Sequence, residues 1–442
     1  MNGKRRLKMK QLTRLFIPIC LETLFYMLSG MVDTLMLSAV GDYAVGAVGT
    51  ANSYIGIFII MFSIISSGMV SVMTQNIGAG RPGVAYQARQ LGLLFNAVAG
   101  VLMAVFLFSG AGAILRMVGI ADALYEPALI YLKIVGGGCI LNAVIPIFSS
   151  YLRAFGYTKQ PLYATIVGNI ANFVMNAVFL FVLHKGVAGV AAATVISKIL
   201  NLCIVLHFSH KLISAKNSTE RIANKTVLGQ IVKVGLPSAC ETALYNVAMM
   251  LVIRFLNQMD AEGLNVTARS YTATISNFSY CVGAALAQAN AIMTGWHIGA
   301  GELEECDRGT KRAAFVGVCV AVCMETAIVL GSGFIMPLFT DNPEMTALVR
   351  KLLAIDIVLE IGRVTNLVFG QALKTSGDAV FPAVIAAVFM FVFAVGGTWL
   401  FGISMGLMAV GAYIGLASDE CVRAVGMVWR WKTGKWRTKK LV

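Results

Sequence analysis

Charge is scarce in this chain. Asp, Glu, Lys and Arg together make 13% of its 442 residues, while 58% are hydrophobic. A soluble domain carries about a quarter of its residues charged, so a water-soluble fold around one core is excluded. Histidine is scarcer still, with four residues and no cluster. The nine cysteines (20, 139, 203, 240, 281, 306, 319, 323, 421) include no C-x-x-C pair. Their odd number, almost wholly inside apolar runs, excludes a disulfide framework, and the missing partners exclude a zinc or haem signature. Cys319 and Cys323 are i,i+4 neighbours but read as packing. No G-K-[ST] is present, which excludes P-loop nucleotide hydrolysis as an energy source. No nucleophile or metal constellation marks an enzyme. A secretory cleavage pattern is also lacking, so Met1 to Lys10 reads as a solvated basic tail before a retained first helix.

What the chain does have is long apolar runs. Leu91 to Leu115 and Phe381 to Leu400 run about 20 residues or more almost without charge, the length an α-helix needs to cross the hydrocarbon of a bilayer. Reading such runs against Gly, Pro and charge punctuation predicts twelve helices, starting near positions 12, 44, 88, 124, 162, 188, 230, 266, 312, 346, 381 and 405. The one long polar interior stretch, His210 to Val227, lies at the midpoint. The expected organisation is therefore an N-terminal six-helix lobe over 12–213, a cytoplasmic linker over 214–227 and a C-terminal six-helix lobe over 228–431.

Lys and Arg number 35 against 21 Asp and Glu, an excess that could suggest nucleic acid. Its placement points instead to topology. With a cytoplasmic N-terminus and alternating helices, the inner side collects Lys4 to Arg14, Arg81, Arg89, Arg153, Lys159, Lys211 to Lys233, Arg308 to Arg312, Lys374 and Arg430 to Lys440. The outer side keeps only scattered residues such as Arg116, Lys133, Arg254 and Arg269. This positive-inside pattern predicts a multi-pass protein of the cell membrane with both termini cytoplasmic; the expected partner is the lipid bilayer, with no nucleic acid, and the expected state is a monomer.

The two halves repeat. Pro18 and Glu22 with Tyr26 return as Pro237 and Glu241 with Tyr245. Met73-Thr74 before Gly78-Ala-Gly80 returns as Met293-Thr294 before Gly299-Ala-Gly301, and Arg153, Gly156 and Pro161 return as Lys374, Gly377 and Pro382. An even number of helices between copies gives a parallel repeat, two lobes facing each other across a central cavity. The glycine motifs read as turns where close chain approach needs glycine.

Each acid at membrane depth is a functional candidate, because burying charge in lipid costs several kcal/mol. Glu22, Tyr26, Ser29 and Asp33 fall at i, i+4, i+7 and i+11, one polar stripe on helix 1. Glu22 has a counterpart in Glu241, which suits a shared or structural role. Asp33 has none, since its equivalent is Val252, and it becomes the first choice for cation binding. On helix 5, Asn169, Asn172 and Asn176 share a face. Their amide oxygens, with one carboxylate, suit a hard monovalent cation, and the carboxylate suits a proton equally well. On helix 10, Asp356, Glu360 and Arg363 share a face: Glu360 and Arg363 read as an internal ion pair, leaving Asp356 for proton or substrate. Glu325 on helix 9 reads as structural.

Gly30-Met-Val-Asp33-Thr-Leu-Met, Gln75-Asn-Ile-Gly-Ala-Gly80, Leu152-Arg-Ala-Phe-Gly156 and their second-half copies resemble the multidrug and toxic compound extrusion (MATE) family over nearly the whole chain. The resemblance implies an all-α integral membrane protein of twelve transmembrane helices in two pseudo-symmetric six-helix bundles, V-shaped. It implies a secondary antiporter, without cofactor, that exports amphipathic, cationic organic compounds by alternating access in exchange for Na⁺ or H⁺. It further implies a cation site at Asp33, Asn172, Asn176 and Thr194, with any metal confined to Na⁺ at Asp33, and secondary coupling at Glu241 and Asp356. Here Asn176 stands where some members have Asp, leaving one formal negative charge. The alternative is a flippase for a lipid-linked precursor, whose cavity should carry several basic residues; only Lys198, Arg363 and Arg423 lie at membrane depth.

Overall fold

The computed structural model describes residues 2–117, 119–213, 220–260 and 263–442. Among them there is no strand. Thirteen α-helices follow one another: α1 Asn2–Ser38, α2 Asp42–Gly78, α3 Pro82–Met117, α4 Asp122–Gly137, α5 Cys139–Ala154, α6 Lys159–Ala177, α7 Gly186–Leu212, α8 Asn224–Met259, α9 Leu264–Gly299, α10 Leu303–Ile335, α11 Pro343–Ser376, α12 Val380–Phe389 and α13 Met408–Lys432. Eight helical segments are long and apolar enough to cross a membrane, nine if α4 and α5 count as one bent span. Their outward faces carry large apolar side chains, Phe334 being 88% exposed, as a lipid-facing surface requires.

Several boundaries differ from the predicted ones. Residues 2–10 are helical rather than a tail, and α3, α8 and α10 begin at Pro82, Asn224 and Leu303 rather than 88, 230 and 312. Their opening residues are held by specific polar bonds that hydropathy cannot register. Gln87 Nε2 donates to Ile222 O and Asn224 Oδ1 (2.7 and 2.5 Å), and Asp307 Oδ1 accepts from Trp431 Nε1 at 2.7 Å. Of the predicted linker, 214–219 lies outside the described residues, 220–223 is non-helical and Asn224 already opens α8. The fourth predicted helix is two, bent by 41° at Gly138, where three successive glycines weaken the helix. α11 starts where Asn342 Oδ1 accepts the Glu344 and Met345 N–H groups, with Pro343 at the first helical position, a strong N-terminal signal.

The repeat is written into the backbone. Gly80 and Gly301 (φ +75° and +76°), Gly156 and Gly377 (+86° and +97°), and Gly186 and Gly406 (+53° and +69°) are left-handed in corresponding places. At the first two pairs the residue after the glycine donates five back, as in Arg81 N to Asn76 O at 2.8 Å and Asp378 N to Leu373 O at 3.0 Å, closing the preceding helix. A Cβ on Gly80 or Gly301 would meet nothing within 4 Å. Those two glycines therefore serve a left-handed turn, not the close approach expected of them. π-helical turns echo as well, at Val178–Val182 and Thr398–Ser404.

The chain forms two compact units, one of Thr13–Gly235 and one of Met1–Leu12 with Leu236–Val442. The first packs on a core rich in small residues, including Ala44, Ala47, Ala51, Ala111 and Ala143, which lets helix backbones approach. In the second, α13 presses onto the π-helical end of the preceding span: a Cβ on Gly411 would stand 2.4 Å from the Phe401 carbonyl carbon and 2.5 Å from Gly402 N. Backbone cannot yield as a side chain can, so Gly411→Ala is expected to lower stability by about 1–3 kcal/mol. Gly331→Ala, whose nearest neighbour is Ile335 Cδ1 at 3.8 Å, should leave the thermal unfolding midpoint in detergent near the parent's.

Candidate functional site

In the unit of Thr13–Gly235, α1, α6 and α7 bring the helix-1 aspartate to the helix-5 asparagines. Asn176 Nδ2 donates to Asp33 Oδ1 at 2.8 Å and to Asn172 Oδ1 at 3.1 Å. Asn172 is buried and Asn176 fully so, yet Asn176 Oδ1 has no hydrogen-bond partner. A buried acceptor left without a donor costs about 1–3 kcal/mol, so its position beside a carboxylate is informative. Thr194 Oγ1 donates to Val190 O at 2.9 Å, which leaves its lone pairs available. Asn169 is elsewhere engaged, its Nδ2 donating to Phe25 O at 2.9 Å, and so ties α6 to α1. Tyr26 is exposed.

Two further groups belong to this neighbourhood. Tyr131 on α4, buried, lies beside Asn52 and Thr194 and within electrostatic reach of Asp33. Lys198 on α7 also feels Asp33, and its Nζ donates to Asn142 Oδ1 at 2.8 Å. Lys198 was visible in the sequence as a charge at membrane depth; nothing local marked Tyr131.

Glu22 is drawn away from Asp33 into an ion pair, Arg153 Nη2 to Glu22 Oε1 at 2.5 Å, and its repeat counterpart does the same, Lys374 Nζ to Glu241 Oε2 at 2.8 Å. Each partner had been visible as a repeat landmark, but not as half of a pair. Both pairs are largely shielded from solvent. Removing one partner strands the other charge, so Arg153→Met is expected to destabilise the protein by about 3 kcal/mol, and Glu22→Gln in the same chain to restore most of that. A double-mutant cycle on thermal unfolding checks it.

The second unit gathers more charge. Arg363 pairs with Glu360 and lies 3.8 Å from Glu420; Arg423 pairs with Asp419 (2.7 Å) and Glu420 (2.8 Å). Glu325, Asp356 and Glu360 are all buried, with carboxylate oxygens within 4.8 Å of one another. Neither Glu325 oxygen has a partner at hydrogen-bond distance, although Ser279 adjoins the carboxylate. Val252, standing where the repeat would put a second Asp33, is wholly buried in an apolar cluster. All nine cysteines are free.

An all-helical chain with apolar spans and charged groups held inside them is the build of a multi-pass membrane transporter. The family model MatE matches twice, over residues 18–178 and 237–400. The chain is 32% identical to an uncharacterized transporter of Bacillus subtilis, YisQ, across 96% of this chain and 94% of that one. It is 20% identical to a probable multidrug resistance protein, NorM, of Thermotoga maritima, across 98% and 94%. In fold it is similar to the Vibrio cholerae MATE transporter VcmN, solved as a point variant, with a TM-score of 0.86 at 18% identity, covering 97% of this chain and 98% of that one. The chain belongs to the MatE family and is a membrane-spanning transporter.

Proposed function

We propose that the protein is a secondary antiporter of the cell membrane, with twelve crossings, both termini cytoplasmic and a monomeric state, in which residues 12–213 and 228–431 form six-helix lobes joined by 214–227. It exports amphipathic organic compounds bearing a cationic centre, in exchange for Na⁺ or H⁺ taken at Asp33. The observation that carries this reading is Asn176: one end of its amide holds Asp33, and the other presents a buried oxygen with no donor. A carboxylate oxygen, the Asn172 and Asn176 amide oxygens and the Thr194 hydroxyl are hard, mostly neutral ligands. They suit a monovalent cation that must be released again, and a proton on Asp33 would serve the same cycle. A bound ion shifts the conformational balance only if its affinity differs between the inward and outward states. A single carboxylate among movable helices supplies such a difference.

The test is efflux of a fluorescent organic cation from proteoliposomes under an imposed Na⁺ gradient and, separately, an imposed H⁺ gradient. Movement of the dye against its own gradient under at least one of them is expected. Flipping of a lipid-linked precursor, with no dye movement under either gradient, would overturn the reading.

A further inference from the structure

The unit containing Leu236–Val442 holds a cavity of about 480 Å³ lined by α8, α9, α11 and α13, a size that takes a small organic molecule. Its charged lining divides into pairs and a remainder. Lys374 is paired with Glu241, Arg423 with Asp419 and Glu420, and Arg363 with Glu360 and Glu420. Two wall charges are left over. Arg269 forms no ion pair among the described residues, its guanidinium touching the Met249 sulfur at 3.8 Å. Asp356, 2% exposed, has an Oδ2 with no hydrogen-bond partner.

Asp356 is buried and Arg269 partly so, which leaves one unpaired charge of each sign on one cavity wall, and the buried one is costly in a membrane-spanning unit. It is relieved by a ligand that carries both. The spacing narrows the class further. Arg269, Ala273, Ser276 and Tyr280 recur at i, i+4, i+7 and i+11 and so face the cavity together from α9. Ser276 adjoins Asp356, and seven residues along a helix set Arg269 about 10 Å from that level. Tyr413 on α13 lies within electrostatic reach of both charges, and Tyr245 and Tyr280 add aromatic wall. Behind Asp356, off the cavity lining, Glu325 and Glu360 reinforce the negative end.

We propose that this cavity binds an extended amphipathic zwitterion, its anionic group on Arg269 and its cationic group at Asp356. A simple cation would leave Arg269 unanswered. The proposal names the substrate class of the antiporter and rests on that reading for transport, though not for binding.

The test uses the full-length protein in detergent and a matched pair of dyes, zwitterionic rhodamine B and its cationic ethyl ester, with binding read by fluorescence anisotropy. The parent should bind the zwitterion at least ~10-fold more tightly than the ester. Arg269→Gln should bring that ratio to about one, while Arg269→Lys, which keeps the charge, should retain most of it. Asp356→Asn should weaken both dyes. Equal or tighter binding of the ester by the parent, a ratio untouched by Arg269→Gln, or binding of neither dye would overturn the proposal. Because no gradient is involved, failure of the antiport reading appears separately, as intact zwitterion preference with no gradient-driven efflux in proteoliposomes.

Discussion

Asp33→Asn is expected to reduce gradient-driven efflux of an organic cation to the level of protein-free vesicles while leaving thermal stability within about 1 kcal/mol of the parent, the worth of one hydrogen bond. The two halves of this expectation come from different atoms. An amide oxygen in the replacement can still accept the 2.8 Å bond from Asn176 Nδ2, so the contact between α1 and α6 persists. Lys198 likewise keeps its bond to Asn142 Oδ1. What disappears is the negative charge that makes the site bind a cation or a proton, and no second carboxylate stands in for it, because position 176 is Asn. Efflux by purified protein in vesicles under each gradient, with unfolding followed on the same preparation, separates the two effects. Efflux at the parent's rate would remove Asp33 from the coupling site.

Much of the fold was legible because the bilayer imposes a simple pattern: apolar runs of fixed length, punctuated by glycine and charge. The duplication was legible too, since Pro18, Glu22, Gly80, Arg153 and Gly156 each left a copy. What could not be read was how those landmarks meet. Glu22 and Arg153 are 131 residues apart, and neither carries a local sign of the other; only the packing of α1 against α5 joins them. The early starts of α3 and α8 were hidden for a related reason, since Gln87 is held from 135 residues away at Ile222. The break at Gly138 was written in three glycines, but glycines are too common in this chain to mark it without the bend itself.

The candidate site divides along the same line. Asp33, Asn172 and Asn176 were legible because a polar residue in an apolar helix stands out and because the repeat exposes Asp33 against Val252. Tyr131 and Arg269 were not, since a tyrosine in a helix and an arginine near a helix end are ordinary until the structure shows what they face. Glu325 illustrates the limit of residue type alone. It read as structural, yet its two oxygens are buried without partners, near Asp356 and Glu360.

Arg363→Met is expected to be among the most destabilising single substitutions in the chain, at about 3–5 kcal/mol, because it strands a buried acid. Glu360 is wholly buried and its ion-pair partner is Arg363, whereas Glu420 retains Arg423 at 2.8 Å. The uncompensated charge therefore falls on Glu360, with Asp356 and Glu325 close enough to oppose it further. Arg363→Lys should recover only part of the loss, since an ammonium cannot address Glu360 and Glu420 with a planar fork. Glu360→Met in the Arg363→Met background should recover more than half, because the two charges of the pair are then removed together and replaced by apolar side chains of similar volume. Denaturant unfolding of the four proteins in detergent gives the cycle. A cost below about 1 kcal/mol for Arg363→Met would mean that Glu360 does not depend on Arg363 for its place in the interior.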